Sequence, residues 1–183
     1  MKEIVFFLEE QSSAEMLQGI KSKITLEDIP FRFVTFEGKQ DLDKQLSKKI
    51  HNYLNPDARF IILRDQGPGN CKDIKNTLQK KCCEDTRKRK IRIACHELES
   101  FYLADLKAIE LAYNKPNLSR LQEKKKYRNP DDMPNPLQIL TDLIPEYQKV
   151  DGSRLISEHL NLNNYRSKSF KNLILAIREL ITY

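Results

Sequence analysis

The sequence has no tryptophan and only five glycines in 183 residues. That scarcity removes the glycine-rich phosphate loops. Asp65-Gln66-Gly67-Pro68-Gly69-Asn70 holds two glycines but not the G-x-G-x-x-G spacing, and Gly38-Lys39-Gln40 lacks both the earlier glycine and the Ser or Thr of a P-loop. The four cysteines, Cys71, Cys82, Cys83 and Cys95, form no C-x-x-C pair. Zinc spacing is therefore absent, and an adjacent Cys82-Cys83 makes a poor disulfide framework, so reduced thiols in a cytoplasmic protein are expected. His96-Glu97 is followed at the zinc-protease position by Ser100. The apolar run Ile4 to Leu8 is too short for a signal-peptide core and stops at Glu9 and Glu10, and no stretch approaches the roughly 20 apolar residues of a membrane span. No membrane association is expected.

Charge is abundant and unevenly placed. Lys and Arg number 32 against 26 Asp and Glu, a net charge of +6. From Lys72 to Arg92 there are nine cations against three anions, equal to that whole excess. A second cluster, Arg120, Lys124, Lys125, Lys126 and Arg128, faces only Glu123. Localised positive charge of this kind suits a polyanion such as nucleic acid, with binding that weakens as salt rises. The plainer alternative is a solvated basic helix and loop.

Hydrophobic periodicity alternates between strand and helix in the first half, the pattern of a parallel α/β sheet. Strands are expected over 4–8, 31–36, 60–63 and 90–95. Between them, Ser12 and Glu15 have capping-box spacing ahead of Met16, Leu17, Ile20 and Ile24. Leu42, Leu46, Ile50 and Leu54 recur every four residues, and 72–83 reads as a basic helix. After Cys95 only helical patterns follow, over 97–103, 106–113, 136–144, 153–160 and 169–181. The expected fold is α/β: about four mainly parallel strands flanked by helices over residues 1–104, with a helical C-terminal part over 105–183 packed on them as one unit.

In an open parallel sheet, functional groups collect beyond the carboxyl ends of the strands. Three predicted strands run straight into acids: Glu9 and Glu10, Asp65, then Glu97 and Glu99. Carboxylates held close repel and shift their pKa values upward unless a cation sits among them. Mg²⁺ suits such a site because one or two carboxylates, waters and a phosphate oxygen complete its shell. Each acid also has a structural alternative: Glu10 and Glu15 at a helix start, Glu97 and Glu99 on different sides of a helix, Asp65 in a turn.

Phe7-Leu8-Glu9-Glu10 with Ser12, Glu37-Gly38-Lys39 with Asp41-Leu42, and Leu63-Arg64-Asp65-Gln66 with Cys71-Lys72 form an ordered set. Arg92-Ile93-Ala94-Cys95 with Glu97-Leu98-Glu99 and Tyr102-Leu103, then Ser167-Lys168-Ser169-Phe170, continue it. In this order and spacing, the chain resembles nearly end to end the uncharacterised bacterial Toprim-like family called domain of unknown function 4276. The resemblance implies a Toprim-like α/β fold, shared with topoisomerases, primases and overcoming-lysogenization-defect nucleases. It makes Glu9 the acid–base glutamate, with Glu10 the alternative if the register differs by one, and Asp65 the first metal-binding aspartate. It also places Lys39 and Glu37 near the same edge and implies an ABC- or AAA-type ATPase as partner, in phage defence. The family pattern has further acids where this chain carries Gly67 and Asn70, which implies a weaker Mg²⁺ (or Mn²⁺) site completed by Glu97 or Glu99.

Three functions follow from these readings. The first is a Mg²⁺-dependent nuclease-like phosphodiesterase, with Glu9 as acid–base, Asp65 plus Glu97 or Glu99 on the metal, and Lys39, Arg64 and Lys72 on phosphates. The second is a non-catalytic regulatory or binding subunit with a degenerate metal site. The third is a nucleic-acid-binding domain that relies on the two basic clusters.

Overall fold

The computed structural model describes residues 1–25 and 28–182. Four strands, β1 (Glu3–Leu8), β2 (Phe31–Thr35), β3 (Ala58–Asp65) and β4 (Arg89–Ala94), form one sheet. All pairs are parallel and the order is β2-β1-β3-β4. Each crossover in the first half carries a helix: α1 (Gln11–Ile24), α2 (Lys39–His51) and α3 (Cys71–Lys81). Beyond β4 lie α4 (Glu99–Leu103), α5 (Leu106–Tyr113), three short 3₁₀ turns, α6 (Pro136–Leu143), α7 (Lys149–Ser157) and α8 (Lys168–Thr182). The four-stranded parallel sheet flanked by helices, with a helical C-terminal segment, is the α/β fold expected from the sequence.

The uninterrupted apolar run of β1 reflects burial on both faces, as parallel central strands require. Its residues alternate between two cores. Ile4, Phe6 and Leu8, with Ile61 and Leu63 of β3, pack under α1 and the C-terminal helices. Val5 and Phe7, with Phe60, Ile62, Ile91 and Ile93, pack against Leu42, Leu46 and Ile50 of α2 and Leu78 of α3. The helical C-terminal part is thus built into the first core, where Phe170, Leu173 and Ile177 of α8 join residues from β1 and β3.

Three local expectations are corrected. The capping box does not form: α1 begins at Gln11, Glu10 occupies the cap position without a capping side-chain bond, and Ser12 is buried within the first turn. Glu15 instead bonds Gln11 and Arg154. Leu54 is 95% exposed and lies beyond α2, which ends at His51, before Asn55-Pro56 can stop it. Helix α7 starts at Lys149, four residues before Ser153. Its stretch Lys149-Val150-Asp151-Gly152 carries too few apolar residues for periodicity to reveal it.

Candidate active site at the β1/β3 switch point

Strand order 2-1-3 sends the chain from β1 to one side through α1 and brings it back to the other side as β3. The crevice at the carboxyl ends of β1 and β3 is the topological switch point of the sheet, where open α/β folds bind ligands. Glu9 follows β1 and Asp65 ends β3, and their strands are in register, with Leu8 opposite Leu63. One Glu9 carboxylate oxygen, Oε2, accepts the Asp65 backbone N–H at 3.1 Å. The same oxygen faces Arg64 Nε at 3.9 Å.

The segment Glu37-Gly38-Lys39 closes one wall. Gly38 adopts φ 91°, ψ −179°, a region open essentially only to glycine, and its N–H donates to the Glu9 carbonyl at 3.0 Å. This turn starts α2 and leaves the exposed Lys39 on the rim of a cleft of about 380 Å³. Glu9, Glu10, Glu37, Lys39, Asp65, Gly67, His96, Glu97 and Lys149 all line it. The structure therefore gathers most of the residues singled out in the sequence.

Their surroundings differ. Burial raises the Glu9 pKa, against the Asp65 amide and the Arg64 charge, which lower it. Asp65 retains a little exposed surface, yet its carboxyl is enclosed by protein atoms, and this burial, with the charges of Glu9, Glu99 and Glu10, raises its pKa well above the usual value. Glu99 is 1% exposed, and burial raises its pKa too. Its Oε1 accepts the Tyr147 hydroxyl at 3.0 Å, while Oε2 is buried with no partner. Glu97 is engaged elsewhere: its Oε2 accepts the Leu137 N–H at 2.8 Å, in the first turn of α6.

Two proposed phosphate ligands sit differently from expectation. Arg64 is tied to carboxylates, with Nη1 at 3.2 Å from Asp43 besides its contact with Glu9. Lys72 is exposed on α3 and is not among the residues lining the cleft. At the two positions where acids were expected, Gly67 takes φ 58°, and Asn70 caps α3 by accepting the Lys72 and Asp73 N–H groups.

The residue that sequence reasoning missed is Lys149. Its Nζ lies 3.0 Å from Glu10 Oε2. Burial opposes its charge, but the Glu10 hydrogen bond and the nearby charges of Glu99 and Asp65 outweigh that and raise its pKa. Lys149 arrives from α7, which lies along α1, and nothing local in Gln148-Lys149-Val150 signals it. Tyr147, two residues earlier, supplies the hydroxyl that holds Glu99.

A family described as domain of unknown function 4276 matches residues 7–178. The chain belongs to this family. The match takes in the carboxyl ends of the four strands, the cleft and α7, so Glu9, Asp65 and Lys149 all lie within the family domain. No curated protein and no solved structure matches the chain. Among the described residues, no helix is long and apolar enough to cross a membrane.

Proposed function

We propose that this protein is a Toprim-like, divalent-cation-dependent phosphodiesterase whose reaction centre is the Glu9–Asp65 cleft. The observation that carries the reading is the convergence of Glu9 and Asp65 at the switch point, with Glu9 fixed over the Asp65 amide. Glu9 and Asp65, both with raised pKa values, meet there with Lys39 and Lys149 on the same lining, and the buried Glu99, whose charge acts on Asp65, has an oxygen without a partner. Perturbed acids in a cleft are a functional-site signature.

Among the described residues, no three His, Cys, Asp or Glu side chains form a ready-made metal cage. The donor set fits Mg²⁺ or Mn²⁺ nevertheless, because such ions take one or two carboxylates and complete an octahedron with waters and substrate oxygens. Asp65 would be the principal ligand, with the second from Glu97, which lines the cleft although one oxygen is bonded to α6, or from Glu99, whose second oxygen has no partner and whose charge acts on Asp65. A bound cation would polarise a phosphoryl oxygen and acidify a water. Glu9, whose raised pKa suits proton transfer nearer neutrality, accepts the proton of the attacking water as its oxygen bonds phosphorus and the P–O bond to the leaving group breaks. Lys39 on the rim offsets phosphate charge.

The family resemblance supports phage defence as the setting and an ABC- or AAA-type ATPase as partner. The test of the chemistry is a Mn²⁺ titration read by EPR on the wild type and on Glu9→Ala/Asp65→Ala. Micromolar binding that the double variant loses, together with metal-dependent cleavage of a nucleic acid by the wild type alone, is expected. No specific Mn²⁺ binding by the wild type would overturn the reading.

One observation favours a second reading. Lys149 already places an ammonium beside Glu10 and within the field of Asp65 and Glu99. A built-in cation of this kind is what a non-catalytic member of the fold would use, and that reading expects a stable cleft indifferent to divalent ions.

A further inference from the structure

A cavity of about 690 Å³ lies beside the acidic cleft, between α3, β4 and the start of α8. The two share a wall. His96 lines both, and it is held at φ 62° with its carbonyl accepting the Gly67 N–H at 2.8 Å. Three cations from three elements face this groove: Lys75 of α3, Arg92 of β4 and Lys168 of α8. Arg92 is a fixed charge, since its Nε and Nη1 donate to the Asn172 and Ile91 carbonyls at 2.9 and 2.8 Å. Lys75 and Lys168 are exposed, and among the described residues neither is paired with a carboxylate.

The groove also contains Asp131 and Asp132, which accept hydrogen bonds from neutral groups around them. Asp131 accepts the Ser167 hydroxyl at 2.6 Å, the Ser169 N–H at 2.9 Å and the Ser169 hydroxyl at 3.0 Å, which ties down the start of α8. Asp132 takes the Asn129 side-chain amide. Three cations against two carboxylates leave the lining with a formal charge of +1, and the two exposed lysines carry the part of it that is free of ion pairs. Its rims continue into both basic clusters seen in the sequence, through Lys75 on the 72–92 side and through Asn129, next to Arg128, on the other. No Phe, Tyr or Trp side chain is among the lining residues, so the large rings on which bases stack are absent from it.

We infer that this groove is the binding track for a phosphodiester backbone, held without sequence preference by Lys75, Arg92 and Lys168 and led past His96 into the Glu9–Asp65 cleft. The last step rests on the proposed phosphodiesterase reading; the binding does not. Backbone contacts made by cations alone position a strand and carry no base information.

The test is fluorescence anisotropy in EDTA, where no metal-dependent chemistry proceeds, with labelled single-stranded oligothymidylate and oligouridylate as probes. Lys75→Glu/Lys168→Glu should weaken binding of both probes at least tenfold and reduce the slope of log K against log salt by about 1.4, roughly 0.7 per lost phosphate contact on a single strand. Lys48→Glu/Lys49→Glu on α2 makes the same change in net charge away from the groove and should cost less than threefold. Discrimination between the probes beyond tenfold, equal loss in the two variants, or no binding by the wild type would overturn the inference. Groove binding without Mn²⁺ binding in the cleft would sink the hydrolytic reading and leave the track standing, whereas the reverse would sink the track alone.

Discussion

The Glu9 carboxylate and the Asp65 backbone are locked to one another: Oε2 of the first accepts the N–H of the second at 3.1 Å across neighbouring strands. A carboxylate on a backbone amide is a charge-assisted bond, and here it fixes the side chain after β1 against the end of β3. The consequence is that two acids share one edge and cannot move apart to relieve their repulsion. Burial and that repulsion both raise the Asp65 pKa.

Asp65→Asn should therefore stabilise the metal-free protein at pH 7. Because the folded-state pKa of Asp65 is raised, its favourable contribution is complete below the ordinary value of 3.8 and is lost as pH rises through the folded value. In EDTA the variant should melt above the wild type by at least about 1 kcal/mol, or about 2–4 °C for a chain of this size, and the gap should shrink as pH falls toward 4. Mg²⁺ should raise the Tm of the wild type only. A variant that melts lower than the wild type at pH 7 in EDTA would contradict the electrostatic account.

Lys149→Met should act in the opposite direction. It removes the ammonium beside Glu10 and from the surroundings of Glu99 and Asp65. Lys149 is partly exposed, so solvent screening limits the loss to about 1 kcal/mol at pH 7. The loss should narrow at acid pH, where the neighbouring carboxyls are neutral. Thermal melts at the two pH values check it, and an equal loss at both would show that only packing was affected.

Gly38→Ala tests the backbone. Nothing lies within 4 Å of the added Cβ, so any penalty comes from φ 91° itself. A cost of about 1–3 kcal/mol is expected in urea unfolding, with unchanged slope against denaturant. The turn presents its N–H to the Glu9 carbonyl, so Mn²⁺ affinity should fall as well.

Asn70 has a structural duty, the capping of α3, that substitutions can separate from metal binding. Asn70→Ala should cost about 1 kcal/mol by uncapping α3, while Asn70→Asp should be close to neutral because aspartate caps equally well. Gly67→Asp, at φ 58°, should cost about 1 kcal/mol, since aspartate is among the few residues that visit this region. Mn²⁺ affinity that rises in Gly67→Asp/Asn70→Asp from none in the wild type would favour the non-catalytic reading.

Much of this fold was legible because parallel central strands leave a plain mark. The run Ile4 to Leu8 is apolar on both faces and stops in acids, and the same pattern at Phe60 to Asp65 placed both carboxylates at strand ends. Helix starts were less legible. Ser12 and Glu15 have capping-box spacing, but Ser12 is buried within the first turn and Glu10 takes the cap position, so the helix begins two residues earlier without that cap. Lys149 and Tyr147 were invisible because their role depends on packing between segments more than 130 and 40 residues apart, from Lys149 to Glu10 and from Tyr147 to Glu99. Glu97 and Glu99 could not be assigned, since α4 begins only at Glu99 and Glu97 turns instead to the Leu137 amide.

Where α1 crosses α7, Gly19 meets Ser157, and a methyl group at Gly19 would collide with that hydroxyl. This contact sits near the far end of both helices from Glu10, which precedes α1, and Lys149, which opens α7. The two helices are joined along their length, by Gly19 against Ser157, by Glu15 with Arg154 and by Glu10 with Lys149. The same close approach that leaves no room for a side chain at Gly19 therefore carries one positive charge to one negative charge at the mouth of the cleft.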